Sequence, residues 1–219
     1  MNKKKEVAKG FSLWLLLGIL IFLGVLYLFF RITDEFVLEK ETAFDNGIFQ
    51  WMATITSDQV TKVMLFFTFF GSTKFLLPAY LLLTGYFLFD KRTLFRSLTI
   101  ALVGLSSIGL LYLLKWTFQR HRPLEPLTQK AIGYSYPSGH SFSSFTFCGI
   151  LVYIIWHTKW PAWIKWLLSI ILVLFAACIA FSRVYLHVHF ASDVLAGLCL
   201  SIIWLAICWV IYIKLQPKL

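Results

Sequence analysis

Ser182-Arg183-Val184-Tyr185-Leu186-His187-Val188-His189-Phe190-Ala191-Ser192-Asp193 lies between two apolar runs, residues 163–181 and 190–213, each long enough to cross a bilayer as a helix. Arg183, His189 and Asp193 are ionisable groups in surroundings that exclude charge unless it has a partner or a task. Runs and anchors together predict an all-α polytopic membrane protein whose chemistry sits where two spans meet.

If the chain turns helical near His189, Asp193 follows four residues later on the same face, about one turn away. A carboxylate in that place accepts the proton of one imidazole nitrogen and leaves the lone pair of the other free to attack. Arg183, in the chain connecting the two spans, offers a planar fork of donors suited to a phosphoryl or carboxyl group. Nucleophile, orienting group and anion clamp fit in one short segment.

Outward from this segment the composition is of the same kind. Of 219 residues, 59% are hydrophobic and 14% charged, and the mean hydropathy is +0.79; a soluble core of this size could not hide so much apolar surface. The formal net charge of +10 does not point to nucleic acid, because the basic residues are dispersed at the ends of apolar runs instead of clustered on one exposed module. Cys148, Cys178, Cys199 and Cys208 all fall inside apolar segments and read as small buried hydrophobes, neither a disulfide framework nor a zinc site.

Hydropathy divides the chain, read as one membrane-embedded domain over 1–219, into six transmembrane helices with short interfacial ones between them. The spans are expected near residues 11–30, 75–89, 94–114, 142–156, 163–181 and 190–213. The first run is longer than a signal-peptide core and no small-residue cleavage site follows, so it reads as a retained helix. Phe44, Ile48, Trp51, Met52 and Ile55 recur at helical spacing; a helix lying on the membrane surface and one packed on its neighbours both fit. Residues 60–89 are too few for two crossings, so a short tilted or interfacial helix is expected up to Phe70, ahead of the second span. Asp90-Lys91-Arg92-Thr93 reads as a tight polar turn, and Trp116 and Tyr185 as members of the aromatic belt.

Lysine and arginine set the orientation. With the N-terminus in the cytoplasm, Lys3, Lys4, Lys5, Lys9, Lys91, Arg92, Arg96, Lys159, Lys165, Lys214 and Lys218 lie inside, against only Glu6 and Asp90. The segment 182–193 and the polar connection 115–137 then face the extracytoplasmic side together.

Two further stretches share the character of the first: Lys115-Trp116-Thr117-Phe118-Gln119-Arg120-His121-Arg122-Pro123 and Pro137-Ser138-Gly139-His140. Lys115 with Arg122-Pro123, then Pro137-Ser138-Gly139-His140, then Ser182-Arg183 with His189 and Asp193, match in order and spacing. The set resembles the three-part signature of the type 2 phosphatidic acid phosphatase superfamily. Each motif alone is weak, but three in register across about 80 residues are specific. The Phe44-Asp45 pair also resembles the segment that opens the family's domain.

The residue types suit the chemistry this implies. A phosphate monoester or diphosphate terminus is dianionic or more, and Lys115, Arg122 and Arg183 supply three fixed positive groups to draw it into a partly dry site. If Ser138 and Gly139 open the fourth span and His189 the sixth, two helix N-termini aim N–H groups at the same point, and Gly139 lets the backbone approach the oxygens. The resemblance implies that His189 attacks phosphorus to form a phosphohistidine supported by Asp193, while His140 protonates the leaving group and then activates water. It implies no metal and no cofactor, because lysine and arginine neutralise the equatorial oxygens. His121 and His187, off the signature positions, are expected beside the site; Arg120 and Lys130 either meet an anionic headgroup or solvate the loop.

The expected activity is that of a bacterial-type membrane lipid phosphatase acting at the extracytoplasmic face, its partners being the bilayer and a lipid phosphate or diphosphate. Phosphatidylglycerophosphate, undecaprenyl diphosphate and phosphatidic acid are candidates, and the motifs do not separate them, since all present the same terminal group. The six-span plan without a soluble domain is similar to bacterial phosphatidylglycerophosphatase B-type and undecaprenyl-diphosphate phosphatase enzymes. A phosphotransferase using the same phosphohistidine stays open. An anion or lipid transporter would place charges at the bilayer midplane along several helices, whereas here they sit at span ends.

Overall fold

Helices account for the chain because hydrocarbon offers no partner to a backbone polar group, so each span must satisfy its own. The computed structural model describes residues 2–88, 94–128 and 132–215, with side chains from Leu15 onward. Among the described residues there are eight α-helices and no strands: α1 (Asn2–Thr33), α2 (Ala43–Ile55), α3 (Asp58–Phe70), α4 (Thr73–Leu88), α5 (Leu94–Phe118), α6 (Gly139–Trp156), α7 (Ala162–Tyr185) and α8 (Ala191–Leu215). A π-helical turn, Asp34–Leu38, extends α1. Six stretches of the described residues are long and apolar enough to cross a membrane, and they make this a multi-pass membrane protein: Leu15–Leu38, Asp58–Leu88, Leu94–Phe118, Gly139–Trp156, Ala162–Tyr185 and Ala191–Leu215. Leu82, Leu102, Leu105 and Leu174 are exposed on the outer faces of α4, α5 and α7, as lipid-facing positions should be.

The helices run further than the apolar runs that announce them. α5 continues to Phe118 and carries Lys115 in its last turn, and α7 continues to Tyr185 and carries Arg183 in its last turn, not in connecting chain. Cations are favoured at helix C-termini, and the backbone ladder passes through polar residues whose side chains turn inward.

The second crossing also differs from the expected 75–89. α3 and α4 meet at Gly71 and Ser72, and Asp58–Leu88 forms one apolar stretch of 31 residues with a break inside it. α3 lies along α7, with Phe67 and Phe70 edge-on to Phe175 and Thr61 hydrogen-bonded to Tyr185. The break sits where it does because a Cβ on residue 71 would meet Ile179 Cγ2 at 2.5 Å and His140 Cδ2 at 2.8 Å. Glycine is what lets the junction come that close to α6 and α7.

Elsewhere α6 packs on α7 and α8, α4 on α5, and α1 on α8. Gly197 lets α8 close on the start of α6, since a Cβ there would lie 2.8 Å from the Ser138 carbonyl oxygen. α2 is packed, not merely laid on a surface: Met52 is buried against Val184, Tyr185, Leu186 and Val188, while Trp51 and Phe44 stay exposed on its other side. Tyr185 is no belt residue; it is fully buried, and its hydroxyl accepts from Ser57 N at 3.1 Å. Trp116, 72% exposed, does face outward. The turn Asp90-Lys91-Arg92-Thr93, Lys130 and Lys218 lie outside the described residues.

Candidate active site

Backbone bonding builds the turn between α7 and α8. Leu186 N and His187 N close the end of α7 on Ser182 O and Val184 O at 3.0 and 2.9 Å. His187 then takes a left-handed φ of 53°, reversing the chain so that Val188 N and His189 N both donate to Arg183 O at 3.1 and 3.2 Å. The arginine and the histidine are thereby held in one turn. α8 begins after Phe190, which has no side-chain acceptor for a cap, and Asp193 reaches back to Phe190 N at 3.0 Å as the acid of a capping box does.

His189 is 2% exposed. Its Nδ1 lies 3.3 Å from Asp193 Oδ2 and its Nε2 3.1 Å from Arg122 Nη1. A guanidinium only donates, so these partners assign the lone pair to Nε2 and the proton to Nδ1, aimed at Asp193. Burial first, then the charges of Arg122, Arg183 and Lys115, hold this imidazole well below its usual range, so the ring is neutral at pH 7.

Among the described residues, three cations surround it. Lys115 Nζ donates to Tyr134 O at 2.7 Å and Ser135 O at 3.2 Å, which leaves one of its three protons over. Arg122 donates from Nε to Gly133 O at 2.9 Å and from Nη1 to Val188 O at 2.7 Å, tying the connection 119–138 to the α7–α8 turn. Burial loosens the Arg122 guanidinium's hold on its proton and Asp193 offsets part of that. Arg183 reaches Thr68 Oγ1 on α3, and its Nε is buried with no partner among the described residues. A spare ammonium proton and an orphaned guanidinium N–H are what an anionic oxygen would complete. The converging set is cationic and donating, which suits an anion and not a metal ion.

α6 starts at the same place. Ser138 N donates to Asp193 O at 3.0 Å, joining the beginnings of α6 and α8, and Ser138 Oγ accepts from Ser141 N at 3.5 Å. Ser138 thus ties the two helix starts together and caps its own, while its hydroxyl proton and the open first turn of α6 remain to face an anion. A Cβ on Gly139 would lie 3.0 Å from Leu111 Cδ2, so its small size also serves packing on α5. His140, one residue on, sits in the field of Arg183, His189, Arg122 and Lys115. It also lines, with Gly139 and Ser143, an apolar groove of about 290 Å³ that runs between α4 and α5 past Leu77, Tyr80 and Leu105.

Lys115, Arg122, Ser138, Gly139, His140, Arg183, His189 and Asp193 therefore meet in one region. His121 is exposed, and its carbonyl accepts from Ser135 Oγ at 2.9 Å. His187 packs on Phe49 with ring centroids 4.7 Å apart. Arg120 corrects the expectation of a headgroup contact or a solvated side chain: it turns inward to Asp193 and Asp45. Sequence reasoning missed this, though a signal existed. Asp45 falls on the helical face that carries Ile48 and Met52, and a carboxylate on a buried face needs a partner.

A family model described as the PAP2 superfamily matches residues 93–217. Phosphatidylglycerophosphatase B of Bacillus subtilis is 29% identical over 181 residues, 81% of this chain and 88% of that protein. An undecaprenyl-diphosphatase of Sulfolobus acidocaldarius is 28% identical over 187 residues, 81% of this chain and 80% of its own length. The crystal structure of a transmembrane PAP2-type phosphatidylglycerolphosphate phosphatase from Bacillus subtilis matches with a TM-score of 0.80 at 26% identity, covering 90% of this chain and 98% of that one.

Proposed function

The chain belongs to the PAP2 superfamily as a multi-pass membrane lipid phosphatase, and on that premise we propose that it hydrolyses the terminal phosphate of phosphatidylglycerophosphate, undecaprenyl diphosphate, or both, through a phosphohistidine. The observation that carries this reading is His189: its proton is turned to Asp193, its lone pair lies among three cations, and His140 beside it lines an apolar groove. The groove suits an acyl or isoprenoid chain arriving in the plane of the bilayer.

Chemically, the Nε2 lone pair of His189 forms a bond to phosphorus as the bond to the lipid-side oxygen breaks. Lys115, Arg122, Arg183 and the first turn of α6 hold the equatorial oxygens, whose charge needs neutralising in the transition state. Asp193 supports the positive charge that the imidazole acquires. His140 gives a proton to the leaving oxygen. It then takes a proton from water, whose oxygen attacks phosphorus, breaks the P–N bond and returns the lone pair to His189.

Charge distribution supports a cytoplasmic N-terminus in a bacterial-type cell membrane, with the pocket on the extracytoplasmic side. The test is phosphate release from each lipid by purified protein in detergent with EDTA present, for wild type and His189→Ala. Metal-independent turnover is expected, with a loss of about 10⁴-fold or more in the variant; retained turnover removes His189 as nucleophile. Free phosphate in step with substrate consumed marks hydrolysis, whereas a phosphorylated acceptor marks transfer.

A further inference from the structure

We propose that Arg120, anchored by Asp45 on α2, is a positioning residue that aims the Asp193 carboxylate at His189 without touching substrate. The inference rests on the phosphohistidine reading above and adds to it two residues that are not among the signature positions.

Arg120 Nη1 donates to Asp193 Oδ1 at 2.6 Å and to Ser192 Oγ at 2.8 Å, while Nη2 donates to Asp45 Oδ2 at 2.8 Å. Asp45 also receives Ser192 N at 2.9 Å and Ser192 Oγ at 2.6 Å. Both carboxylates are closed off, Asp45 at 1% and Asp193 at 0% exposure. The guanidinium lies 4.2 Å above the Phe190 ring, which covers one of its faces. With Arg120 on Oδ1, the other oxygen of Asp193 is left for His189 Nδ1 and Phe190 N.

Two physical consequences follow. A carboxylate buried this completely keeps its charge only if a cation stays beside it, and among the described residues Arg120 is the arginine or lysine bonded to it. A guanidinium fork shared between two acids also fixes the plane of both, which a lysine ammonium, a point charge on a flexible stem, would not do. Arg120 does not act as a fourth phosphate clamp, since both of its terminal nitrogens are committed to Asp193, Ser192 and Asp45. α2 then works as a brace: Met52 and its neighbours pack on the α7–α8 turn, and Asp45 extends that contact to Arg120.

Steady-state phosphate release over about pH 5 to 9 by the full-length protein in detergent, with phosphatidylglycerophosphate as substrate, tests this. Asp193 is faced by Arg120, His189 and Lys115, and by Asp45 through Arg120; His189 is faced by Arg122, Arg183, Lys115 and His140. Arg120 offsets the negative charge of Asp193, so removing it lets that charge act in full on His189, and the neutral ring appears only at higher pH. Arg120→Gln should lower kcat about 10²-fold, leave KM within about threefold, and move the acid limb of kcat upward by about one pH unit. Asp45→Asn should give a smaller loss in the same direction, about tenfold. Arg120→Lys should recover the limb but only part of kcat, because it restores the charge and not the fork. A folded Arg120→Gln with wild-type kcat and an unmoved limb overturns the proposal, as does a raised KM at unchanged kcat, which would make Arg120 a substrate contact. Should Arg120→Gln not survive extraction, Asp45→Asn and Arg120→Lys decide by the same two readouts. Turnover surviving in His189→Ala would instead strike the phosphohistidine reading underneath.

Discussion

α6 and α8 both begin at the pocket, and they are capped in opposite ways. α6 opens on Ser138, whose own hydroxyl accepts from Ser141 N three residues on. α8 opens on Phe190, which has nothing to offer; its first N–H groups are satisfied by Asp193 reaching back and by Asp45 arriving from α2, 147 positions away from Ser192. A local cap asks nothing of the rest of the fold, whereas a long-range cap exists only while α2 is docked. The start of α8 carries Asp193, so the orienting group of the proposed nucleophile depends on a helix that does not line the pocket.

The largest effect that would sharpen this contrast comes from Asp193→Ala, which removes the orienting carboxylate, the capping arm and the partner of Arg120 in one step. Phosphate release should fall about 10³- to 10⁴-fold in kcat, with KM changed far less. Next is Asp45→Ala, which leaves Arg120 Nη2 and the Ser192 N–H inside the protein without their acceptor. Loss of a buried charged partner costs about 3–5 kcal/mol, read as an apparent Tm about 10 °C lower in detergent. A variant that melts with the wild type would dissolve the distinction between the two helix starts.

A smaller and graded effect is the pH dependence of His189. Its folded-state affinity for a proton is held well below the ordinary range by burial and by Arg122, Arg183 and Lys115, so the ring becomes an effective nucleophile as pH rises through that lowered value. The acid limb of kcat/KM should therefore lie below about pH 6.5. The same shift means that below about pH 6.5 the unfolded chain binds a proton that the folded ring refuses. Stability therefore decreases as the pH is lowered below that value, by up to about 1.4 kcal/mol per unit from this group. A limb at or above the free-imidazole value would show the cations to be screened. The smallest effect belongs to Ser138→Ala. The backbone bond from residue 138 to Asp193 O survives, only the local cap is lost, and about 1 kcal/mol or an apparent Tm drop of about 3 °C is expected. If it matched Asp45→Ala, the local cap would be as deeply coupled as the distant one.

Legibility in the sequence follows the same division. Arg122, His140, Arg183 and His189 stood out because charge between apolar runs is conspicuous, and their spacing is a property of the chain itself. Arg120 lies two residues before Arg122 in the same loop, and nothing local separates one that bonds His189 from one that bonds Asp45. The break at Gly71 was legible as a polar interruption; that it abuts His140 was not, because the contact spans three helices. Tyr185 looked like a belt aromatic, yet α3 folds over it and takes its hydroxyl.

By itself the sequence determined that this is a helical membrane protein of six crossings, and which residue types form an anion-binding signature, because hydropathy over about 20 residues and motif spacing are local quantities. Only the tertiary structure decided which cation serves which acid, where the second crossing breaks, and which helices leave a groove beside His140. Those are distances between groups remote along the chain, fixed by how whole helices pack and by the need of each buried charge for a partner.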